Sequence, residues 1–167
     1  AYGCSLGGSF VGLLAARENV HMDYGILGSS DLDQSSPLAA RLTTGVMLPV
    51  LYPLVRDGKF SMRYMQKRLE KRKREMPEYA DAFMEMFGNA RPYVTKKSCK
   101  NQFYSDLITP LPQKIDVPGT EIHIFYALKM GEKYEERYKE HFAEPVIHRQ
   151  NLAHEELLAC YPEKWAE

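Results

Sequence analysis

Gly3-Cys4-Ser5-Leu6-Gly7 decides the fold, because it matches the pattern G-x-S-x-G and runs directly into the small and apolar stretch from Gly8 to Ala16. That stretch predicts a helix, so Ser5 is expected on a tight turn that opens it. A serine hydroxyl attacks poorly unless a turn holds it away from the backbone, a base accepts its proton and N–H groups receive the oxyanion. The flanking glycines lack a Cβ and allow a strand and a helix to approach closely there. The stretch therefore predicts a nucleophile elbow.

A candidate base follows near the end of the sequence, in Asn151-Leu152-Ala153-His154-Glu155-Glu156-Leu157-Leu158. In one known order of triad residues along a chain, the nucleophile comes first, an acid second and the histidine last. His154 fits the last place in that order. The acid predicted here is Glu132, which follows the best predicted strand, Glu121 to Ala127, and precedes His154 by about two dozen residues. Ser5, Glu132 and His154 form the predicted triad, in which His154 accepts the proton of Ser5 and the acid orients the ring.

Other carboxylates compete with Glu132 for the place of the acid. Asp31 and Asp33 follow a second predicted strand, His21 to Leu27, at the carboxyl edge where open sheets bind ligands. Glu135 and Glu136 lie with Glu132 at the start of the next predicted helix, where the helix dipole stabilises any carboxylate. The sequence leaves these alternatives open.

The elbow and the late histidine resemble those of the α/β-hydrolase family, specifically the C-terminal portion of a capped serine hydrolase from the elbow onward. The resemblance implies an α/β fold with few parallel strands, a large helical cap insertion and a helix-rich chain overall. In the family, strands precede the elbow and the loop after the third supplies a second oxyanion donor. Only Leu6 N–H is assigned as a donor here. We therefore expect this sequence to be part of a longer hydrolase or to have its other half in a second chain.

The changes between predicted strands and predicted helices along the sequence divide it into three regions. Residues 1–36 hold the elbow, a helix and a strand of the core, residues 37–112 form the helical cap, and residues 113–167 return to the core with the acid and His154. Strands are expected at 22–27, 121–127 and 146–150. Helical segments in the cap are expected to break at several positions, and the two prolines of its most apolar stretch predict short or kinked helices. The expected breaks are Pro49, Pro53, Gly58, Pro77, Gly88-Asn89 and Pro92.

Composition narrows the class of partner. The 22 Lys and Arg balance the 22 Asp and Glu, so the basic excess that drives binding to nucleic acid is lacking. No apolar run approaching about 18 residues is expected, so the sequence predicts a cytoplasmic protein without a membrane span. The three cysteines, Cys4, Cys99 and Cys160, favour a reducing compartment over a disulfide framework. The basic run from Lys67 to Arg74 is expected to be a solvated face, with attraction of an anionic substrate or headgroup as its functional rival.

These observations predict a serine hydrolase that cleaves a carboxylic ester or thioester through an acyl-enzyme, with no cofactor and no metal. The alternative is a catalytically incomplete fragment or a pseudoenzyme that acts as an interaction or ligand-binding module. An exposed sheet edge at the elbow strand would favour a homo-oligomer or association with the missing half. The remaining histidines are expected to be structural and without local partners: His21, His123, His141 and His148.

Overall fold

The computed structural model describes residues 1–32 and 35–167, which divide into two compact units. The sheet unit comprises Ala1–Gln34 and Thr109–Glu167, and the helical unit comprises Ser35–Ile108. The predicted Asp33 lies outside the described residues.

A parallel four-stranded sheet organises the sheet unit. Its strands, in spatial order as in chain order, are β1 (Tyr2–Cys4), β2 (Tyr24–Gly28), β3 (Glu121–Ala127) and β4 (Val146–Gln150). The expected strands near 22–27, 121–127 and 146–150 are confirmed, although β2 starts three residues later than the predicted His21 and extends to Gly28. A further strand, β1, precedes Ser5 and extends to Cys4 because Gly3 and Cys4 pair with Leu27 and Gly28.

Eight α-helices complete the described part of the chain. They are α1 (Leu6–Ala15), α2 (Pro37–Asp57), α3 (Arg63–Glu75), α4 (Pro77–Ala90), α5 (Lys96–Ile108), α6 (Lys133–His141), α7 (Glu156–Cys160) and α8 (Pro162–Ala166). A 3₁₀ turn at Leu128–Met130 links β3 to α6. The predicted α/β fold class with a helical majority is therefore confirmed.

The core of the sheet unit lies on one face of the sheet. Ile122, Ile124 and Tyr126 alternate along β3, point to the same side and pack against α1 and α6. The Tyr126 hydroxyl donates to Gly131 O at 2.6 Å, and its ring meets the buried Tyr138 ring edge-on. Burying side chains of this size contributes about 1.5–3 kcal/mol each relative to leaving them exposed. This packing fixes the carboxyl ends of β1 to β4 and therefore the loops that follow them.

The helical unit holds α2 to α5 around a small core of its own. Leu48 and Val55 of α2 meet Cys99 of α5, and four half-buried side chains surround them: Tyr52, Phe87, Val94 and Phe103. α3, in contrast, has no buried residue.

The prediction that prolines break the most apolar stretch is wrong. α2 runs for 21 residues through Pro49 and Pro53 to Asp57, and Gly58, which caps it, takes the left-handed conformation. An interior proline costs a helix about 3 kcal/mol, and packing of Leu48 and Val55 against α5 offsets that cost. The predicted break at Gly88-Asn89 is also wrong, since α4 continues to Ala90.

The length of α2 also overturns the expectation that no apolar segment approaches a membrane span. Over an 18-residue window its mean hydropathy is 1.5 and 28% of that window is buried, so α2 is long and apolar enough to cross a membrane by length and composition alone. Core helices of soluble proteins pass the same test, which makes this weak evidence for a span.

Candidate functional site

Ser5 occupies the turn between β1 and α1 in a conformation that few non-glycine residues adopt. Its φ is 53° and its ψ is −122°. Such a backbone costs about 1–3 kcal/mol and persists only where its surroundings hold it. Ser5 N–H donates to Gly28 O at 2.9 Å, and Ser5 O accepts from Gly8 N–H at 3.0 Å and from the Ser30 hydroxyl at 2.8 Å. The Ser5 side chain makes no capping hydrogen bond to α1, so its hydroxyl is not consumed by the helix.

Close approach of backbone explains two glycines around Ser5. A Cβ on Gly3 would overlap the carbonyl of Gly7, and a Cβ on Gly8 would overlap the side chain of Ser30. A Cβ on Gly7, in contrast, would meet nothing within 4 Å. The tight turn therefore depends on Gly3, as the motif predicts, and on Gly8, whereas the second glycine of the motif is not required by packing.

Leu6, the predicted oxyanion donor, lies at the N-terminus of α1. Leu6 is the first residue of this 10-residue helix and directly follows Ser5. N–H groups in the first turn of a helix have no acceptor within the helix, and the helix dipole favours negative charge there. Leu6 N–H is therefore a donor that could bind an anionic oxygen beside Ser5, and its oxyanion role stays a prediction.

The loop after β2 connects the elbow to the rest of the sheet unit. Ser29, with φ 48°, donates its N–H to Phe125 O at 3.0 Å. The fully buried Ser30 donates its hydroxyl to Ser5 O and accepts at its carbonyl from the hydroxyl of Tyr138. Sequence reasoning considered this loop only for its acids and missed the two serines, because nothing in a Gly-Ser-Ser run reveals contacts so distant along the chain.

His154 lies in the loop between β4 and α7, and this loop is tied directly to the loop after β2. Glu155 N–H donates to the hydroxyl of Ser29 at 2.9 Å, and Ala153 N–H donates to the carboxylate of the buried Glu156 at 2.6 Å. The helix that follows, α7, begins two residues after His154, at Glu156. These bonds bring His154 to the carboxyl edge of the sheet where Ser5 also lies.

Glu155 is the residue of this site that the sequence did not reveal. It has φ 59°, and its Oε1 lies 3.4 Å from His154 Nε2. Burial acts to raise the pKa of Glu155, but the hydrogen bond and charge of His154 outweigh it, so the net pKa is lowered. Its carboxylate also accepts a hydrogen bond from the thiol of Cys4, the residue before Ser5. The signal available in the sequence was only its position beside His154.

Cys4 stays a protonated thiol in this arrangement. Burial chiefly raises its pKa to about 12; the hydrogen bond from the Tyr2 hydroxyl lowers it, and the charge of Glu155 raises it further. A thiol is nucleophilic only as the thiolate. Cys4 is therefore a packed side chain at the elbow, and Ser5 is the nucleophile candidate there.

The candidate acids of α6 differ in their exposure and in their hydrogen-bond partners. Glu132 lies exposed at the start of α6, where its side chain makes no capping hydrogen bond. Glu135 is held by Arg149 at 2.5 and 2.9 Å and by Lys139 at 2.8 Å. The hydrogen bond from Arg149 is the main cause that lowers the pKa of Glu135 to about 2. Glu136, 79% exposed, contacts Lys139 at 3.3 Å. Both oxygens of Glu135 are thus committed to cations.

Asp31 differs from the carboxylates of α6 in its surroundings. Its Oδ1 is buried and has no hydrogen-bond partner among the described residues, while its carbonyl accepts from Arg137 at 2.9 Å. A buried acceptor without a donor costs about 1–3 kcal/mol. Asp31 also lies two residues after Ser29, which bonds the His154 loop. Of the described candidates, Asp31 is therefore the acid whose loop is joined to that of His154.

Two histidines expected to lack partners form a pair on the other face of the sheet. His123 Nδ1 lies 3.0 Å from His148 Nε2, and His123 Nε2 lies 3.2 Å from Glu121. The strand register, in which Phe125 of β3 aligns with His148 of β4, brings these rings together. His141 binds Pro112 O at 3.0 Å. Within residues 1–32 and 35–167, no group of three side chains is placed to hold a metal ion.

Comparison with known proteins identifies the fold. A crystal structure of a protein from Desulfitobacterium hafniense, assigned to the α/β-hydrolase family, superposes on this chain with a TM-score of 0.68 at 17% sequence identity. The match covers 99% of this chain and 64% of that protein, so the chain spans just under two thirds of its length. No protein-family model and no curated protein matches the sequence. The chain has the α/β-hydrolase fold.

Proposed function

We propose that this chain carries the catalytic serine and histidine of a serine hydrolase that cleaves a carboxylic ester or thioester. The observation that carries the proposal is the strained, positive-φ conformation of Ser5 at a strand-to-helix turn, held by hydrogen bonds to Gly28, Gly8 and Ser30. Strain of this kind is concentrated at functional sites. The bond between Glu155 and Ser29 supports it, because it brings the His154 loop to the same edge.

In the proposed reaction His154 removes the proton of the Ser5 hydroxyl as its oxygen bonds to the acyl carbon. The carbonyl electron pair moves to its oxygen, and Leu6 N–H stabilises that charge. When the pair returns, the bond to the leaving alcohol or thiol breaks, and His154 donates the proton to it. Water, deprotonated by His154, then attacks the acyl carbon of the acyl-enzyme. As the bond from that carbon to Ser5 Oγ breaks and the acid leaves, His154 donates its proton to Ser5 Oγ and restores the hydroxyl.

We propose Asp31 as the acid that orients His154, with Asp33 and the originally predicted Glu132 as the variants to test beside it. A buried, unpaired carboxylate oxygen is an acceptor available for an imidazole N–H, whereas Glu135 is already bound by Arg149 and Lys139. Replacing the correct acid by its amide is expected to reduce the rate by orders of magnitude, since the wrong histidine tautomer is then favoured.

Covalent labelling by a fluorophosphonate, read by intact mass, tests this proposal on the chain as it stands. We expect one adduct, lost in Ser5→Ala and His154→Ala and retained in Ser35→Ala, a matched change at an exposed serine. Asp31→Asn, Asp33→Asn and Glu132→Gln then identify the acid. An adduct that survives Ser5→Ala would overturn the assignment of the nucleophile.

The competing function is that of a ligand-binding or interaction module without turnover. The observation that favours it is that the match covers 64% of the other protein. An oxyanion donor in the remaining part of such a protein has no counterpart in this chain. A folded chain that gives no adduct at any pH would support this function and contradict the first.

In the first function Glu155 acts as a positioning residue, because its carboxylate favours the imidazolium that forms on His154. Glu155→Gln removes a negative charge next to His154, so the pKa of His154 is expected to fall. The rate of labelling should then reach its plateau at a lower pH than in the unmodified chain. Tyr2 and Cys4 also face Glu155, and both stay neutral in this range because their pKa values are raised. Glu163→Gln, at an exposed site, should leave the profile unchanged.

A further inference from the structure

The neutral net charge of the chain conceals a strong separation of charge between its two units. Residues 35–108 carry 14 Lys and Arg against 7 Asp and Glu, whereas the rest of the chain carries 8 against 15. The helical unit is therefore strongly basic by itself. The basic excess that the whole chain lacks is therefore present in this unit.

Much of this charge lies on α3. The helix carries seven Lys and Arg against two Glu, and none of its residues is buried. Two of the arginines lie over aromatic rings, Arg68 over Tyr64 and Arg72 over Tyr79. Lys67 and Lys73 are exposed, and with their neighbours they spread positive charge around the helix.

An exposed apolar stripe runs along the first half of α2. Leu38, Leu42 and Val46 follow one another at intervals of four residues and are 70%, 65% and 70% exposed. The opposite face is buried, since Leu48 and Val55 belong to the core of the helical unit. The stripe therefore makes no contribution to that core.

The stripe and the basic helix are joined within the helical unit. Ser61 donates its hydroxyl to Pro49 O at 3.1 Å, and Pro49 follows Val46 on the same side of α2. This bond brings the start of α3, with the exposed Met62 and Tyr64, to the end of the stripe. The end of the apolar stripe and the start of the basic helix are therefore neighbours within the helical unit.

We propose that this surface binds peripherally to an anionic lipid membrane, with the side chains of the stripe entering the interface and those of α3 contacting headgroups. Interfacial helices combine an apolar face with Lys and Arg in this way, whereas a nucleic acid would use the charge and leave the stripe exposed to water. A full span of α2 is not proposed, because it would require Leu48 and Val55 to leave their core. This surface is independent of the hydrolase chemistry proposed for Ser5.

Co-sedimentation of the chain with vesicles tests the proposal. We expect binding to vesicles of phosphatidylcholine with phosphatidylserine at low salt, and little binding to phosphatidylcholine alone or at high salt. Each Lys or Arg near the surface contributes about a fivefold gain in partitioning. Lys67→Ala with Lys73→Ala should therefore weaken binding by roughly 25-fold.

Matched controls distinguish membrane binding through this surface from binding through positive charge elsewhere on the chain. Arg17→Ala with Lys133→Ala removes the same charge from exposed positions of the sheet unit and should leave binding unchanged. Leu42→Gln with Val46→Gln should reduce binding by at least tenfold while leaving the fold intact, since both side chains are exposed.

Three outcomes would overturn the proposal. Absence of binding to the anionic vesicles at low salt would do so, as would equal, salt-independent binding to both kinds of vesicle. The third is a dimer in sedimentation velocity that Leu42→Gln with Val46→Gln dissociates, because a second copy of the chain would then cover the stripe. Loss of serine labelling would not affect any of these readouts.

Discussion

The sheet unit and the helical unit differ in where the backbone is strained. All five described non-glycine residues with positive φ lie in the sheet unit, including Ser5, Ser29 and Glu155. In the helical unit the described positive φ falls on Gly58, where it carries no steric cost. The sheet unit uses tertiary hydrogen bonds to hold its loops in unfavourable conformations, and the helical unit holds relaxed helices with an exposed surface. In this chain, therefore, the strained loops that fix side-chain positions lie in the sheet unit, and the relaxed helices with exposed side chains lie in the helical unit.

The largest expected effect comes from Gly3→Ala in the elbow. Its new Cβ would overlap the backbone of Gly7, which cannot move without displacing α1, so we expect a loss of more than about 4 kcal/mol in the free energy of unfolding. Gly7→Ala is the matched control and should stabilise the chain by about 0.5–1 kcal/mol, because its Cβ meets nothing. Urea denaturation measures both, and equal effects would contradict the described packing.

Tyr138→Phe tests the bonds that hold the loop after β2. The change leaves the buried carbonyl of Ser30 without its donor, so we expect a loss of about 2 kcal/mol in stability. The rate of fluorophosphonate labelling should fall as well, because Ser30 also holds Ser5. Tyr64→Phe, at an exposed position of the helical unit, should change neither quantity.

The ion pair of Glu135 is expected to give a smaller, pH-dependent effect. The pKa of Glu135 is lowered from its ordinary value of 4.5 to about 2, chiefly by Arg149. A carboxylate with a lowered pKa stabilises the folded state above pH 4.5, and this contribution is lost as the pH falls towards 2. Glu135→Gln should flatten the dependence of unfolding free energy on pH in that window. Glu136→Gln should not, since that side chain is exposed.

The smallest effect on stability is expected for the stripe of the helical unit. Leu42→Gln with Val46→Gln should change the free energy of unfolding by less than about 0.5 kcal/mol per site, as surface substitutions do. A loss of several kcal/mol would mean that the stripe is part of a core, and the comparison between the two units would then fail.

Local patterns predicted much of the fold. β3 was predicted with its observed bounds because E-I-H-I-F-Y-A alternates apolar residues toward one core face. The strand-to-helix turn at Ser5 was predicted because the residues that shape it, from Gly3 to Gly8, are contiguous. The unbroken course of α2 through Pro49 and Pro53 was not predicted. Proline propensities are local, and the packing that overrides them involves Cys99 on another helix.

The candidate site was predicted less completely than the fold. Ser5, Leu6 and His154 stay predictions from motif and chain order, and the proposed acid differs from the predicted one because spacing alone ranked Glu132 above Asp31. What separates the two is a buried oxygen of Asp31 and a hydrogen bond from Glu155 to Ser29. The paired residues are separated by 126 positions, and no local pattern encodes such a contact.

The bond between Glu155 and Ser29 also bears on the order in which the protein becomes competent. Closing a loop of that length is entropically costly and slow, so contacts between near neighbours form first. During synthesis the elbow leaves the ribosome long before Glu155 does, and the segment that completes it is still untranslated. Under the function proposed for Ser5 and His154, we therefore expect no serine labelling of a nascent chain, or of a truncation ending before β4, because the loop that carries His154 has not yet docked.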